Sequence, residues 1–307
     1  MQISTNYIFD RAVSQMSTVQ ADLAKSQAQI AARKQVINPS DAPDQAAAIA
    51  RLESVMARQD SYAKALDTIN TRLSAEDSTL GSASDLVIRI KEISIQAAND
   101  TLSASDRQVL GVELKGLRDQ LLSLANAQDS GGNYLFAGSR VRQPAFATDA
   151  TGQVLYQGDQ TRMNVSVGEQ RSVLINRTGS DAFVRVVRTD DAGNSSGVGF
   201  FQALDDLIKG VNSSDHVAMQ RGIGEVDSMH QGLLLAHAGV GTDMKVVEQQ
   251  TSVAEDTTLS LKTTLSNMED LDYASAITQM QKQMLALEAA QSSFAKISQL
   301  SLFNYIR

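Results

Sequence analysis

The stretch RLESVMARQDSYAKALDTINTRLSAEDSTLGSASDLVIRI, residues 51–90, decides the fold. Leu52, Val55, Gln59, Tyr62, Leu66, Ile69, Leu73, Glu76, Leu80, Ala83, Val87 and Ile90 fall in alternating steps of three and four. That is one heptad register held for about five repeats, the pattern that keeps a single stripe of a helix turned toward a partner. Leu86 and Ile93 widen the stripe, so more than one helix packs on it. Working outward, Ser40 or Asp41 is a suitable N-cap and Pro43 fits a first helical turn, which predicts one long helix over 42–98. Residues 99–105 read as a turn. Ser105 and Gln108 have capping-box spacing and open a second helix, whose Leu110, Leu114, Leu117, Leu121 and Leu124 return antiparallel to the first.

The flanks are also helical, with thinner stripes. Over 8–37 the apolar positions are Met16, Val19, Leu23 and Ile30, with Ser26 at the intervening place. The helix ends at Asn38-Pro39, because proline disfavours helical geometry in the residue before it. Beyond residue 200, helical segments are expected over 200–209 and 216–236. The glycines of Ala238–Thr242 read as a break, and a last helical stretch runs over 243–303. Its seam is Tyr273, Ile277, Met280, Met284, Leu287, Gln291 and Phe294, drifting to Ile297, Leu300 and Phe303, with Tyr305 near the end. Between the helical halves, residues 131–199 are rich in Gly, Thr, Asn and Asp. Brief strands are expected at 135–137, 154–156, 163–167, 172–175 and 184–187. The fold class is mainly α: a long antiparallel bundle or coiled coil from the N- and C-terminal regions, with a small inserted β domain. The expected division is a terminal assembly domain (1–39 and 272–307), a helical bundle domain (40–132 and 200–271) and a β insert (133–199).

Composition narrows the function. The chain has 307 residues, 42% hydrophobic but only 5% aromatic, with three prolines, which suits elongated helices. A net charge of −8 with no basic face argues against nucleic acid as a partner. Without cysteine there is no disulfide, thiol catalysis or thiolate metal site. No apolar run is long enough for a membrane helix, and the N-terminus lacks a basic region followed by an apolar core, so no Sec-type signal peptide is expected. His230 and His237 share a helical face with Asp227, and His216 stands apart; a metal needs three or four convergent ligands, which this spacing does not supply. Asp190-Asp191 and Asp205-Asp206 are adjacent carboxylates whose side chains diverge, so they read as solvated turns, not an acid–base pair. Gly239-x-Gly241 lacks a third glycine and a preceding strand. No cofactor and no enzyme activity are expected.

The terminal stripes are too thin to offset the cost of ordering the segments that carry them. They are therefore expected to be frayed alone and to fold when neighbouring molecules supply the missing cover.

Specific strings resemble the flagellin family and, within it, the hook–filament junction branch. QAQIAARKQVINPSD (27–41), with Asn38, Pro39, Ser40 and Asp41, is similar to the end of that branch's N-terminal helix. GNYLFAGSR (132–140), with Tyr134, Leu135, Phe136 and Gly138, is similar to its entry into the β domain; Pro144 and Phe146 follow. EDLDYASAI (269–277), with Asp272, Tyr273 and Ala274, is similar to the family's closing motif, and SLFNYIR (301–307) to the branch's ending. Three departures stand out: Arg33 replaces a frequent glycine, Ala42 a second acid, and Ala145 separates Pro144 from Phe146.

The resemblance implies a structural subunit of the bacterial flagellum. It would form a single junction ring, self-associated, between the first hook-associated protein and flagellin. A cytoplasmic chaperone would guard it before export, unfolded, through the flagellar type III apparatus, with no cleaved signal peptide, to an extracellular location. The alternative within the family is filament flagellin, which would grow filaments and not stop at a ring. Other classes considered are a secreted enzyme or adhesin acting through its β insert, which lacks a convergent polar cluster, and a coiled-coil chaperone or signalling bundle.

Overall fold

The heptad stretch forms part of a continuous helix in the computed structural model, which describes residues 2–189 and 195–305, without the side chains of residues 2–6, 8, 189 and 297–305. In chain order the elements are α1 (Gln2–Ala32), α2 (Pro43–Ala97), α3 (Ala104–Ala125), β1 (Phe146–Thr148), β2 (Val154–Tyr156), β3 (Asn164–Ser166), β4 (Ser172–Leu174), α4 (Gly179–Ala182), β5 (Val186–Thr189), β6 (Ser195–Val198), α5 (Phe200–Ser213), α6 (His216–Glu269) and α7 (Tyr273–Tyr305). The chain divides into two compact units: residues 1–59 with 256–307, and residues 60–255.

The second unit carries the core. Along α2, Leu66, Ile69, Leu73, Glu76, Leu80, Ala83, Val87 and Ile90 are all buried, in the register read from the sequence. Leu114 and Leu121 of α3, Leu204 and Leu207 of α5, and Val226, Met229, Leu233 and Val240 of α6 complete it. Charged pairs on the rims fix neighbours: Lys91 Nζ to Asp227 Oδ1 (2.5 Å) links α2 to α6, and Arg118 Nε to Asp205 Oδ1 (3.0 Å) links α3 to α5.

The insert consists of three separate antiparallel hairpins, β1-β2, β3-β4 and β5-β6, with Phe146 opposite Tyr156, Val165 opposite Val173 and Val186 opposite Val198. Two-stranded ribbons are marginal alone. An aromatic cluster supplies cohesion: five of the eight phenylalanines, Phe136, Phe146, Phe183, Phe200 and Phe201, meet with centroids 5.3–6.1 Å apart, mostly edge to face. Two of them belong to α5, so the insert rests on the bundle.

Helix α1 ends at Ala32, ahead of left-handed Arg33, and not at Asn38-Pro39, and the helix expected over 243–303 is divided between α6 and α7 at residues 270–272. Four further expectations change. The first is the capping box of α3, which is Ser103 with Asp106, not Ser105 with Gln108; the Ser103 hydroxyl accepts from Asp106 N, and the Asp106 carboxylate accepts from Ser103 N. Second, residues 135–137 form no strand. Their carbonyls are taken by Arg72 (to Leu135 O, 2.8 Å), by Tyr156 OH and Gly179 N (to Phe136 O, 3.0 and 2.8 Å) and by Asp159 N (to Ala137 O, 3.3 Å), leaving no ladder. Third, the strand expected at 184–187 starts at Val186 and pairs with β6, whose Ser- and Gly-rich sequence gives little strand signal. The fourth concerns Ala238–Thr242, which does not break the helix, because buried Ala236, Val240 and Val247 keep α6 against the core through it. Gly239 has a packing reason: a Cβ there would lie 2.8 Å from Nη2 of Arg177.

Candidate assembly interface

The first unit is built on α1 packed against α7. Their roots are clasped by backbone bonds, Gln35 N to Glu269 O (2.7 Å) and Leu271 N to Arg33 O (3.2 Å), and Lys34 forms an ion pair with Glu269. The clasp requires Arg33 at φ +62°, in the left-handed region where glycine is the unstrained residue. Farther along, Phe9 meets Phe294 edge to face at 5.5 Å, which makes the pair antiparallel.

The α1 stripe is Phe9, Ala12, Met16, Val19, Leu23, Ser26 and Ile30, in unbroken steps of three and four. All are half-buried except Ser26, which is buried and donates from Oγ to Gln283 Oε1 at 2.8 Å. On α7 the predicted seam is split. Met280, Leu287 and Phe294 are half-buried, but the positions that join them are Ala276, Gln283 and Ala290. Ile277, Met284, Gln291 and Tyr273 are turned outward, Met284 52% exposed, and neighbouring Leu285 70% exposed. Leu23, Met284, Leu285, Leu287, Glu288 and Gln291 border an open, mostly apolar groove of about 400 Å³. The side chains of Ile297, Leu300, Phe303 and Tyr305 lie outside the described residues.

One fact about this unit matters most. Among its described side chains, not one apolar residue is buried; Ser26 alone is. Among the described residues, every buried hydrophobic side chain lies between Leu66 and Ala254.

The motif residues serve as structural joints. Asn38, Pro39, Ser40 and Asp41 form an exposed turn after α1, closed by Asp41 N to Asn38 O at 2.9 Å, with Lys25 Nζ 3.4 Å from the Asp41 carboxylate. Asp272 caps α7: its carboxylate accepts from Ser275 Oγ (2.7 Å) and Ala274 N (3.0 Å), and these bonds, the Ser275 hydroxyl foremost, hold it below the ordinary carboxylate range. Tyr273 and Ala274 follow on the exposed first turn. In the second unit, Leu135 and Phe136 are buried, and Tyr134 pairs with Gln128. Gly138, at φ +69°, leaves room for Asp159: a Cβ would meet its Oδ1 at 2.2 Å.

Sequence reasoning missed a charged joint below the insert. Arg72 donates to Ile175 O (2.8 Å), Leu135 O (2.8 Å) and Asp129 Oδ2 (3.2 Å), holding the start of the insert and the residue after β4 to α2. Beside it, Arg177 pairs with Asp243 at 2.5 Å. Glu76 lies fully buried, its Oε1 3.5 Å from Arg72 Nε, with neither oxygen hydrogen-bonded. Burial pushes its carboxyl up to about 7, against the opposing pull of Arg72 and Arg177. Its place in an apolar heptad was the available signal.

The titratable groups singled out in the sequence stand apart from one another. His216 and His237 contact Asp100 (3.2 Å) and Asp77 (2.8 Å) separately, and among the described residues no group of three or more potential ligands could hold a metal. Asp205 and Asp206 do not form a solvated turn: they lie half-buried within α5, engaged by Arg118 and Arg188; Asp190 and Asp191 lie outside the described residues. Among the described residues no helix is long and apolar enough to cross a membrane.

A long helical bundle, a small insert and clasped terminal helices without a core of their own define a flagellin-type subunit. Residues 3–140 match the bacterial flagellin N-terminal helical region, and residues 223–306 the bacterial flagellin C-terminal helical region. Flagellar hook-associated protein 3 of Salmonella typhimurium is 30% identical over 320 residues, covering 100% of both chains, and that of Escherichia coli is 28% identical over 99% of each. The solved structure of a putative flagellar hook-associated protein from Vibrio parahaemolyticus has the same fold, with TM-score 0.67 and 21% identity over 75% of this chain and 100% of that one. Flagellins of two Listeria species match at 20%. The chain belongs to the flagellar hook-associated protein 3 family, a branch of the flagellins, and is a structural component of the bacterial flagellum distinct from filament flagellin.

Proposed function

We propose that this chain forms the junction ring between hook and filament, and that copies of it complete one another's terminal units. The observation that carries this reading is the absence of any buried apolar side chain among the described residues of the α1–α7 unit, beside a second unit with a full core. A helix pair that leaves Met284 and Leu285 in water gains stability when a neighbour covers them. Folding of the ends and assembly then become one event. Met16, Val19, Leu23 and Ile30, with Met280, Leu287 and Phe294, form the seam within a subunit; Ile277 and Met284 face the next one. The ring contacts the first hook-associated protein on one side and flagellin on the other. A core-free pair of ends also suits passage, unfolded and chaperoned, through the flagellar type III export apparatus to the cell exterior.

Deletion of the gene tests the reading. Cells are expected to carry hooks without filaments and to shed flagellin into the medium. Filaments of normal number and length in that strain would contradict it.

A further inference from the structure

The α7 helix can present either of two faces to α1, and the face it uses is the less apolar. Met280, Leu287 and Phe294 belong to both. Joined with Ile277, Met284 and Gln291 they make the richer stripe; joined with Ala276, Gln283 and Ala290 they make the stripe that packs on α1. Apolar burial alone selects the first. What separates them is Ser26, the one buried side chain described in this unit, whose hydroxyl donates to Gln283 Oε1 at 2.8 Å. With the richer stripe inward, Ser26 would face Met284, and its hydroxyl would exchange the Gln283 carbonyl for a back-bond to the carbonyl four residues earlier, as Ser94 makes to Ile90 O, an arrangement that strains the helix. Sliding α7 by one heptad fails likewise, because Ala276 or Ala290 replaces Gln283. The backbone clasp at Arg33–Gln35 fixes the root of the pair but not the roll of α7 about its own axis about three turns away.

We propose that the Ser26–Gln283 hydrogen bond is a positioning device that sets the roll of α7, spending the small-residue face on its own α1 and keeping the Ile277–Met284–Leu285 face outward for a second copy of this chain. A single polar pair fixing register and partner is the best-attested use of polar groups in helical seams. This inference rests on the reading that a second copy covers the outward face, and the test separates the two.

The chain contains no cysteine, so introduced pairs report geometry cleanly. In an antiparallel heptad pair a contact recurs seven residues back on one helix and seven forward on the other, so Val19 and Ala290 stand in the relation of Ser26 to Gln283. Full-length protein carrying Val19→Cys with Ala290→Cys, or Val19→Cys with Gln291→Cys, is sheared from flagella, treated with a short bifunctional thiol cross-linker whose span replaces the length of the Gln283 side chain, and run on denaturing gels. The first pair is expected to close within the chain and the second to close poorly. Gln283→Leu is expected to shift the ratio of the two yields toward 291 by roughly fivefold. Gln283→Glu keeps an acceptor for Ser26 and is expected to leave the ratio unchanged. Ser26→Ala, measured in the same way on sheared flagella, repeats the shift should Gln283→Leu fail to assemble. An unchanged ratio in both Gln283→Leu and Ser26→Ala overturns the proposal, as does an equal shift in Gln283→Glu. Single Met284→Cys reports the partner: a disulfide between copies on assembled flagella supports the second-copy reading. Its absence with the 19–290 pattern intact sinks that reading and leaves the roll device standing.

Discussion

Glu76 is the residue whose chemistry departs furthest from its sequence setting. Its folded carboxyl titrates near 7, above the ordinary value of 4.5. Proton binding is therefore tighter in the folded state, so the associated stability is fully present below about pH 4.5 and is lost as pH rises through about 7. The full excursion is on the order of 3 kcal/mol. Glu76→Gln keeps shape and polarity, and Arg72 and Arg177 retain Asp129 and Asp243 as partners. The variant is expected to melt higher than the parent at pH 8 and to lose most of the fall in melting temperature between pH 5 and pH 8. Parallel pH profiles in thermal melts of the two proteins would contradict this. Periodicity placed Glu76 on the buried stripe but could not show which cations would reach it, since Arg177 arrives from a loop about a hundred residues away. Arg33 was legible as a departure from the family's glycine; its positive φ shows what that departure does to the backbone.

Elements were legible where a long stripe met a real core. The register of α2 from Leu66 to Ile90 was readable because each position is buried. Glycine misled in α6, since local propensity treats Gly239 and Gly241 alike while packing does not. Gly241 faces open space, and Gly239 receives the Arg177 guanidinium. Gly241→Ala is accordingly expected to stabilise by about 1 kcal/mol. Gly239→Ala should gain nothing, because the new methyl displaces Arg177 from Asp243. Equal gains for both in thermal unfolding would show that Arg177 does not need the space. The α7 seam was half legible: Met280, Leu287 and Phe294 suit two rolls of the helix, and only the buried hydroxyl of Ser26 distinguishes them. The insert was least legible, because its short hairpins owe their stability to phenylalanines distant in sequence and to carbonyls satisfied by side chains.

For the whole molecule, the unequal distribution of burial is the central fact. One unit has a complete core; the other has a stripe, a clasp and one buried hydrogen bond. The sequence announced this in its thin terminal seams, and the family assignment agrees with a part that is finished only by its neighbours. Hydrogen exchange on full-length protein, free in solution and in flagella sheared from cells, tests the claim most directly. Amides of α1 and α7 are expected to exchange rapidly in the free chain and to become protected on assembly, while those of α2 between Leu66 and Ile90 stay protected in both. Strong protection of α1 and α7 in the free monomer, unchanged by assembly, would contradict the account.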